Sequence, residues 1–455
     1  MESFSTLPLD PPLLRALEAL GHATMTPVQA AALPSVLAGR DVIAEARTGS
    51  GKTIAFGLGL VARVDVARSE TQALVLCPTR ELADQVSREL RALARFVPNF
   101  KLSTLCGGIP LRPQLASLVH APHVVVGTPG RIEELLENGA LTFDATRILV
   151  LDEADRMLDM GFLPSIERLA ARVPPARQTL LFSATLPEAV RATSRALQRD
   201  PVEVTIADGE ADGAIIEAFI EIDATRRYEA CERVLLDARA PSALVFCNTR
   251  RDVEDLAGGL AGRGFAALPL HGDLDQRERE ETLVRFANRS CSVLVATDVA
   301  ARGLDIEDLP LVVNWELSTD PDVHRHRIGR TGRAGRSGRA VSLVAPGEMS
   351  RAHALESGDT RLPWVPLPRL PGSVRAAAAA MQTLRIDAGR QDKLRPGDIL
   401  GALTGAAGLA GDAVGRITIF PTRSYVAVRR EQANQALERL RSGGIKGRKV
   451  RVQAV

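Results

Sequence analysis

Short runs of apolar residues alternate with amphipathic stretches along the first 205 residues of the chain. The runs are rich in Val, Ile and Leu and lie at 41–46, 73–78, 123–128, 148–153 and 179–184. Between two of them, residues 81–96 have apolar positions that recur with helical spacing. Strands of a parallel sheet are buried on both faces and therefore read as continuous apolar runs. The pattern predicts a parallel sheet covered by helices on both sides.

The same pattern returns after a small, polar, Gly-containing segment at 207–214, which is typical of a linker. Four further apolar runs lie at 243–248, 291–297, 309–315 and 340–346. A Pro-rich stretch at 362–372 precedes a third unit that reads strand–helix–strand–strand–helix–strand, for which a four-stranded antiparallel sheet is the natural arrangement. We predict an α/β fold class with parallel-sheet domains at 1–206 and 215–361 and a C-terminal α+β module at 382–455.

Composition and charge narrow the class of protein. The chain has 455 residues, of which 45% are hydrophobic and 25% charged, so a disordered or fibrous chain is excluded. Residues 382–455 carry 14 Lys and Arg against 6 Asp and Glu, although the net charge of the whole chain is only +2. A basic module on a more acidic body favours binding of a polyanion such as nucleic acid, and a solvated basic surface is the alternative.

Cysteine usage and the apolar runs bear on the compartment. The five cysteines (Cys77, Cys106, Cys231, Cys247 and Cys291) are scattered without CxxC spacing, which argues against a disulfide framework or a zinc site. The first residues lack the apolar segment of a signal peptide. No apolar run reaches the roughly 20 residues of a membrane-spanning helix. We expect a reduced, cytoplasmic protein without a membrane partner.

A glycine-rich loop, ARTGSGKT at 46–53, follows the first apolar run and precedes an apolar helix start. Glycine lets backbone N–H groups converge on an anion, and the helix N-terminus adds partial positive charge. Lys52 can reach phosphate oxygens, and the Thr53 hydroxyl can bind Mg²⁺. The predicted phosphate-binding residues are Thr48, Gly49, Ser50, Gly51, Lys52 and Thr53.

Two carboxylates, Asp152 and Glu153, end the fourth apolar run. The carboxyl ends of parallel strands form the ligand crevice of such sheets. Asp152 can hold Mg²⁺ through water, and Glu153 can orient and deprotonate an attacking water. In the second domain, Arg330 and Arg333 lie three residues apart on a Gly-broken turn, where they can stabilise the charge of a transferring phosphoryl group. Hydrolysis would then require both domains to close on each other.

Together, these motifs resemble the DEAD-box family of RNA helicases, whose literal tetrapeptide stands at residues 152–155 and whose motifs occur in order through residues 1–350. The resemblance implies two RecA-like domains that use ATP to unwind RNA locally. It implies that Gln29, in GHATMTPVQ, reads the adenine edge and that Phe4 stacks on its ring. It also implies that Gly303 and Asp305 contact the nucleotide and that Ser183 and Thr185 couple the state of ATP to the grip on RNA.

The same resemblance assigns the RNA contacts to two sets of residues. In the first domain they are Pro78, Thr79, Arg80, Gly108, Thr128, Gly130 and Arg131. In the second domain they are Asn248, Thr249, Arg250, Gln276, Arg279, Thr297 and Asp298. Small hydroxyls, backbone N–H groups and arginines are what contact with the sugar-phosphate backbone requires, and they carry no base information.

The C-terminal module resembles the RNA-binding domain of the DbpA subfamily over 393–429 and 443–452. That resemblance implies an RRM-like domain that recognises a hairpin of 23S rRNA and directs the helicase to pre-50S particles. The module has few aromatic residues for base stacking, chiefly Tyr425 and Phe420, so we expect an electrostatic grip. The candidate residues are Arg423, Arg429, Lys446, Arg448 and Lys449, with Arg430 and Arg451 beside them.

The sequence-based hypothesis is a monomeric, ATP- and Mg²⁺-dependent RNA helicase that remodels 23S rRNA during assembly of the large ribosomal subunit. Two alternatives stay open at this point. The first is an RNA-binding assembly factor that uses ATP only as a clamp or not at all. The second is a DNA helicase, which would respond to single-stranded DNA as it does to RNA.

Overall fold

The computed structural model describes residues 2–46, 49–206, 215–301, 309–332, 337–356, 362–371, 374–405 and 408–455. These residues form two compact units, one ending at Ile206 and the other beginning at Ile215. Each unit is described by itself. No described helix is long and apolar enough to cross a membrane.

The described part of the first unit contains a seven-stranded parallel sheet with the order β3-β4-β2-β5-β6-β1-β7. Its strands are β1 (Val42–Glu45), β2 (Ala73–Leu76), β3 (Leu102–Leu105), β4 (Val124–Gly127), β5 (Ile148–Asp152), β6 (Gln178–Ser183) and β7 (Val202–Thr205). Its helices are α1 (Pro11–Ala19), α2 (Pro27–Leu37), α3 (Lys52–Arg63), α4 (Arg80–Leu93), α5 (Leu111–Leu118), α6 (Pro129–Glu137), α7 (Ala154–Asp159), α8 (Leu163–Arg172) and α9 (Glu188–Leu197). The predicted parallel sheet is confirmed.

Two hydrophobic cores lie on the two faces of this sheet. Successive side chains of a strand point to opposite faces, so Val75 joins one core while Leu74 and Leu76 join the other. Burial on both faces explains why this strand and its central neighbours consist of uninterrupted apolar residues. The sheet thereby holds the loops after its strands at one edge.

The second unit begins with a six-stranded parallel sheet of described residues in the order β10-β11-β9-β12-β13-β8. Its strands are β8 (Ile215–Glu221), β9 (Ala243–Cys247), β10 (Ala267–Leu270), β11 (Val293–Thr297), β12 (Leu311–Asn314) and β13 (Gly338–Val344). Its helices are α10 (Arg227–Ala238), α11 (Arg250–Gly262), α12 (Gln276–Ala287), α13 (Asp298–Ala301), α14 (Pro321–Ile328) and α15 (Met349–Leu355). The second predicted α/β domain is therefore also confirmed.

The C-terminal module has the predicted β-α-β-β-α-β order and an antiparallel sheet, β15-β16-β14-β17. Its elements are β14 (Met381–Ile386), α16 (Pro396–Thr404), β15 (Val414–Ile419), β16 (Ser424–Arg429), α17 (Ala433–Gly443) and β17 (Val452–Ala454). One face of the sheet, with Leu384 and Val426, packs on the core that both helices cover. The other face carries Thr383, Arg385 and Tyr425 and lies against α12 of the preceding domain.

The five cysteines are buried and free in the structure. Burial raises the pKa of every one of these thiols, to about 12 for Cys106, Cys231 and Cys291. They behave as small hydrophobic side chains. Among the described residues, no group of three or more His, Cys, Asp or Glu could hold a metal ion.

Candidate functional site: a nucleotide pocket and an RNA-binding edge

The glycine-rich loop connects the end of β1 to the start of α3, as the sequence predicts. Gly49 and Gly51 have φ angles of 81° and 93°, a region that side chains other than glycine rarely adopt. A Cβ atom at Gly51 would also collide with the side-chain amide of Gln29. Thr48 lies outside the described residues. The glycines thus allow the backbone to turn tightly into the helix N-terminus at Lys52.

Lys52 and Asp152 are buried, and neither the Lys52 Nζ atom nor the Asp152 Oδ1 atom has a hydrogen-bond partner among the described residues. Burial raises the pKa of Asp152 to about 7; Lys52 opposes this rise and Glu153 adds to it. Buried charged groups without partners are costly in a folded protein. A triphosphate would satisfy the ammonium group and a hard divalent cation the carboxylate, so this donor set fits ATP with Mg²⁺.

Gln29 joins the segment 21–29 to the glycine-rich loop. Its Oε1 atom accepts a hydrogen bond from the Thr26 backbone N–H at 2.9 Å, and its Nε2 atom donates to the Gly51 carbonyl at 3.1 Å. The amide is therefore held directly beside the phosphate-binding loop. Phe4 is buried in the hydrophobic core of this unit. The predicted contacts of Gln29 and Phe4 with adenine stay predictions. Stacking of Phe4 on adenine would require one face of its buried ring to become exposed.

Glu153 is fixed by its backbone and by a neighbouring cation. It adopts the left-handed region, with φ 55° and ψ 55°, immediately before α7. Its Oε2 atom lies 2.6 Å from Arg156 Nη1, and both side chains are only 3% exposed. A strained backbone conformation at a residue other than glycine is typical of functional sites. The sequence analysis did not single out Arg156, although it follows the acidic tetrapeptide directly.

Asp155 connects the acidic tetrapeptide to the predicted coupling residues. Its Oδ2 atom accepts hydrogen bonds from the Thr185 hydroxyl at 3.0 Å and from the Thr185 backbone N–H at 2.9 Å. The Asp155 backbone N–H donates to the Ser183 hydroxyl at 3.1 Å. These hydrogen bonds join the segment that follows β5 to the end of the neighbouring strand β6. Ser183 and Thr185 were predicted from the sequence, but Asp155 was not; its backbone N–H binds Ser183 and its carboxylate binds Thr185.

The predicted RNA contacts of the first unit lie together at the carboxyl edge of its sheet. Thr79 caps α4 by accepting from the Leu82 N–H, and a Cβ atom at Gly108 would collide with the Arg80 guanidinium. The Thr128 hydroxyl accepts from the Gly107 N–H at 3.3 Å, while Arg131 donates to the Ile109 carbonyl at 3.2 Å. Pro78 is buried and Gly130 exposed in the same loops.

Arg327 organises the corresponding residues of the second unit. It is 1% exposed and binds both oxygens of Asp298, at 2.6 and 2.7 Å. It also donates to the Asn248 side-chain oxygen at 2.7 Å. Arg330 and Arg333 of the same HRIGRTGR segment were predicted as site residues. Arg327 was not, because its partners lie 29 and 79 residues away in the chain.

The remaining predicted residues of this unit have local partners. Thr249 caps α11, Arg250 forms an ion pair with Asp273, and Arg279 donates to the Ala300 carbonyl at 2.8 Å. Thr297 is buried at the end of β11, and Arg330 is buried beside Leu309. The predicted residues Gly303, Asp305 and Arg333 lie outside the described part of the chain.

In the C-terminal module, the predicted RNA-binding cations fall into two groups. Arg429, Lys446, Arg448 and Lys449 are all exposed, and two of them form surface ion pairs: Arg429 with Asp412 at 2.6 Å and Lys446 with Asp398 at 2.8 Å. Arg423 forms an ion pair with Glu280 on α12 at 2.5 Å, so an RNA contact by Arg423 stays a prediction that requires this pair to open.

Three family models match the chain: the DEAD/DEAH box helicase over residues 26–193, the helicase conserved C-terminal domain over 226–335, and the DbpA RNA binding domain over 383–454. The chain is 53% identical over 455 residues to the ATP-dependent RNA helicase DbpA of Escherichia coli K12, covering 100% of this chain and 99% of that protein. The chain belongs to the DEAD-box helicase family. It is an ATP-dependent RNA helicase of the DbpA type.

Solved structures of other DEAD-box proteins resemble this helicase. Saccharomyces cerevisiae Dbp5 bound to RNA and ADP BeF3 matches with a TM-score of 0.71 and 30% identity, over 81% of this chain and 96% of that one. Mss116p bound to ssRNA and AMP-PNP matches with a TM-score of 0.71 and 26% identity, over 80% of this chain and 78% of that one. The DEAD-box protein CshA of Geobacillus kaustophilus is 43% identical over 358 residues, which is 78% of this chain and 76% of that protein.

Proposed function

We propose that this DEAD-box helicase remodels 23S rRNA during assembly of the large ribosomal subunit, in the cytoplasm and as a monomer. Its C-terminal module would hold an rRNA hairpin on pre-50S particles. The match of the DbpA RNA binding domain to residues 383–454 carries this proposal. The full-length similarity to E. coli DbpA and the basic charge of the module support it.

In the proposed reaction, Lys52 neutralises the β- and γ-phosphates of ATP while the glycine-rich loop offers backbone N–H groups. Thr53 and, through water, Asp152 would hold Mg²⁺, which would neutralise phosphate charge when bound. Glu153 accepts the proton of the attacking water as its oxygen bonds to the γ-phosphorus and the bond to ADP breaks. Arg330 and Arg333 stabilise the charge that develops on the transferring group.

Coupling between ATP and RNA follows from the distribution of these groups over both parallel-sheet domains. Each ligand would favour a closed arrangement, so each would strengthen the binding of the other. The hydrogen bonds among Asp155, Ser183 and Thr185 support a link between the nucleotide pocket and the RNA-binding edge of the first unit. We propose that closure bends one strand of a duplex and releases its partner, which gives local unwinding near the bound hairpin.

The hairpin proposal is tested by comparing the ATPase rate of the protein with a 23S rRNA hairpin fragment, an unrelated hairpin and single-stranded DNA. Selective stimulation by the 23S hairpin supports it. Equal stimulation by both hairpins contradicts the targeting, and equal stimulation by DNA favours a general helicase. An assay of duplex displacement separates a helicase from an ATP-dependent clamp, because a clamp binds RNA without separating strands.

Variants of exposed cations in the C-terminal module test the same hairpin targeting. Replacing Arg448 and Lys449 by Glu should remove selective stimulation by the hairpin, because phosphate contacts supply much of RNA affinity. The response to high concentrations of generic RNA should remain. Reversing the charge of Arg416, an exposed cation outside the predicted contact set, is the control for a nonspecific effect of net charge.

A further inference from the structure

Helix α12 carries both a predicted RNA contact and the docking site of the C-terminal module. Gln276, at the first position of the helix, is predicted to contact RNA. Its Nε2 atom donates to the Oε1 atom of Glu280 at 3.1 Å, a contact between residues four apart on one helix face. The Glu280 carboxylate therefore contributes to the orientation of the Gln276 amide.

The second oxygen of the same carboxylate binds the C-terminal module. Glu280 Oε2 accepts from Arg423 Nη2 at 2.5 Å, and the side chains are 27% and 13% exposed. The Arg423 guanidinium also lies 5.3 Å from the centre of the Phe420 ring, a cation–π contact that restrains it further. One carboxylate thus bridges a predicted RNA contact of the helicase core and a fixed cation of the module.

Neighbouring contacts hold the module against the same helix. Arg385 pairs with Glu281 at 3.3 Å, and the Tyr425 hydroxyl donates to Glu281 at 3.2 Å. Farther along, the Thr383 hydroxyl lies 2.5 Å from that of Ser290. These contacts hold other parts of the module and involve neither Glu280 nor Gln276. They therefore provide a way to separate docking in general from the effect of one carboxylate.

We propose that Glu280 is a positioning residue: held by Arg423 of the docked C-terminal module, it orients Gln276 for RNA. This inference rests on the proposed RNA contact of Gln276. If the ion pair is lost, the carboxylate gains rotamers in which it no longer accepts from Gln276, and the amide loses this restraint on its orientation. The docked module then raises the RNA affinity of the core without touching that RNA.

The test is a double-mutant cycle in the full-length protein with a fluorescent oligo-uridine RNA and a non-hydrolysable ATP analogue. Gln276→Ala and Arg423→Ala should each weaken RNA binding by about threefold to tenfold. The double variant should have the same affinity as the single variant with the larger loss. Arg423→Lys, which keeps the positive charge, should recover part of the loss. Additive effects of the two substitutions would overturn the proposal.

Two further variants distinguish a specific role of Glu280 from a general effect of ion pairs or of docking. Arg339→Ala breaks an ion pair with Asp237 near the opposite edge of the sheet and should be additive with Gln276→Ala. Arg385→Ala loosens docking at Glu281 and should also be additive; coupling as strong as that of Arg423→Ala would overturn a specific role of Glu280. If Gln276→Ala leaves RNA affinity unchanged, the RNA contact fails and this proposal fails with it, whereas ATPase stimulation by the 23S hairpin tests the proposed function separately.

Discussion

The guanidinium of Arg156 lies 2.6 Å from the carboxylate of Glu153, the residue proposed to deprotonate the attacking water. Both side chains are buried, and Glu153 occupies a left-handed backbone conformation. An ion pair within one helical turn therefore restrains the carboxylate whose orientation the reaction requires. We therefore expect Arg156 to position Glu153 for hydrolysis rather than to touch ATP.

Replacing Arg156 by Met should lower kcat for RNA-stimulated ATP hydrolysis by about tenfold or more, because the carboxylate loses its fixed orientation, with little change in KM for ATP. Loss of a buried countercharge should also destabilise the domain, by about 3 kcal/mol. Arg156→Lys should recover part of kcat. In a Glu153→Gln background, Arg156→Met should lower kcat no further, and a further loss would show that Arg156 acts elsewhere.

Gly51 should not tolerate a side chain. Gly51→Ala places a Cβ at a φ of 93° and against Gln29, so ATP affinity measured with a fluorescent analogue should fall by about tenfold or more. Gly258→Ala is the matched control, because its Cβ would meet no atom within 4 Å and it lies inside α11. That control should keep ATP affinity and gain up to about 1 kcal/mol in the free energy of unfolding. An equal loss in both variants would contradict this explanation.

The pKa of Asp152, raised by burial to about 7, gives a pH dependence with a definite sign. Its ordinary value is 3.8, so between about pH 4 and 7 the folded state without ligand keeps a proton that the unfolded state has lost. The stabilising contribution of the protonated side chain is therefore lost as pH rises through 7. The melting temperature of the wild type minus that of Asp152→Asn should therefore decrease as the pH rises from 5 to 8.

Binding of ATP with Mg²⁺ should show the opposite trend, because a cation requires ionised Asp152. Affinity should decrease by up to about tenfold per unit as pH drops below 7. Asp152→Asn should bind more weakly and show a flatter profile. A wild-type profile without change between pH 5 and 7 would exclude Asp152 as a cation-binding group.

Thr185→Val removes the hydroxyl that donates to Asp155 while it preserves the shape of the side chain. If this hydrogen bond couples the proposed nucleotide pocket to the proposed RNA contacts, unwinding of a short RNA duplex should fall by about tenfold while ATP hydrolysis changes much less. Thr193→Val is the control, since that hydroxyl donates to a backbone carbonyl of its own helix. Equal loss of hydrolysis and unwinding in Thr185→Val would argue against a coupling role.

In the two parallel sheets, the sequence predicted the strands whose apolar residues are buried on both faces and missed the strands at the sheet edges. The central strands β2, β4 and β5 consist of uninterrupted apolar residues, whereas the edge strands β3 and β7 alternate and were not predicted. In β3, Ser103 and Leu105 are buried while Leu102 and Thr104 are not fully so. Such short, alternating segments have no strong signal until a neighbouring strand pairs with them.

Some features of the candidate site could likewise be predicted from the sequence and others could not. Residues within a short motif, such as Lys52 and Glu153, were found because their spacing carries the chemistry. The partners of Arg327 and Glu280 were not found, because Asp298, Asn248 and Arg423 are distant in the chain and only the fold brings them together. Charged residues are common on protein surfaces, so sequence alone does not show which of them form pairs.

The burial of all five cysteines has a practical consequence for following this protein in motion. Thiols that are shielded and hard to ionise react slowly with maleimide dyes, so the native chain needs no cysteine removed before labelling. One cysteine introduced at exposed Arg416, outside the predicted contact set, and another at exposed Arg251 would take a donor and an acceptor fluorophore. Energy transfer between the two fluorophores, measured on single molecules, would then report whether the C-terminal module undocks from α12 when RNA binds.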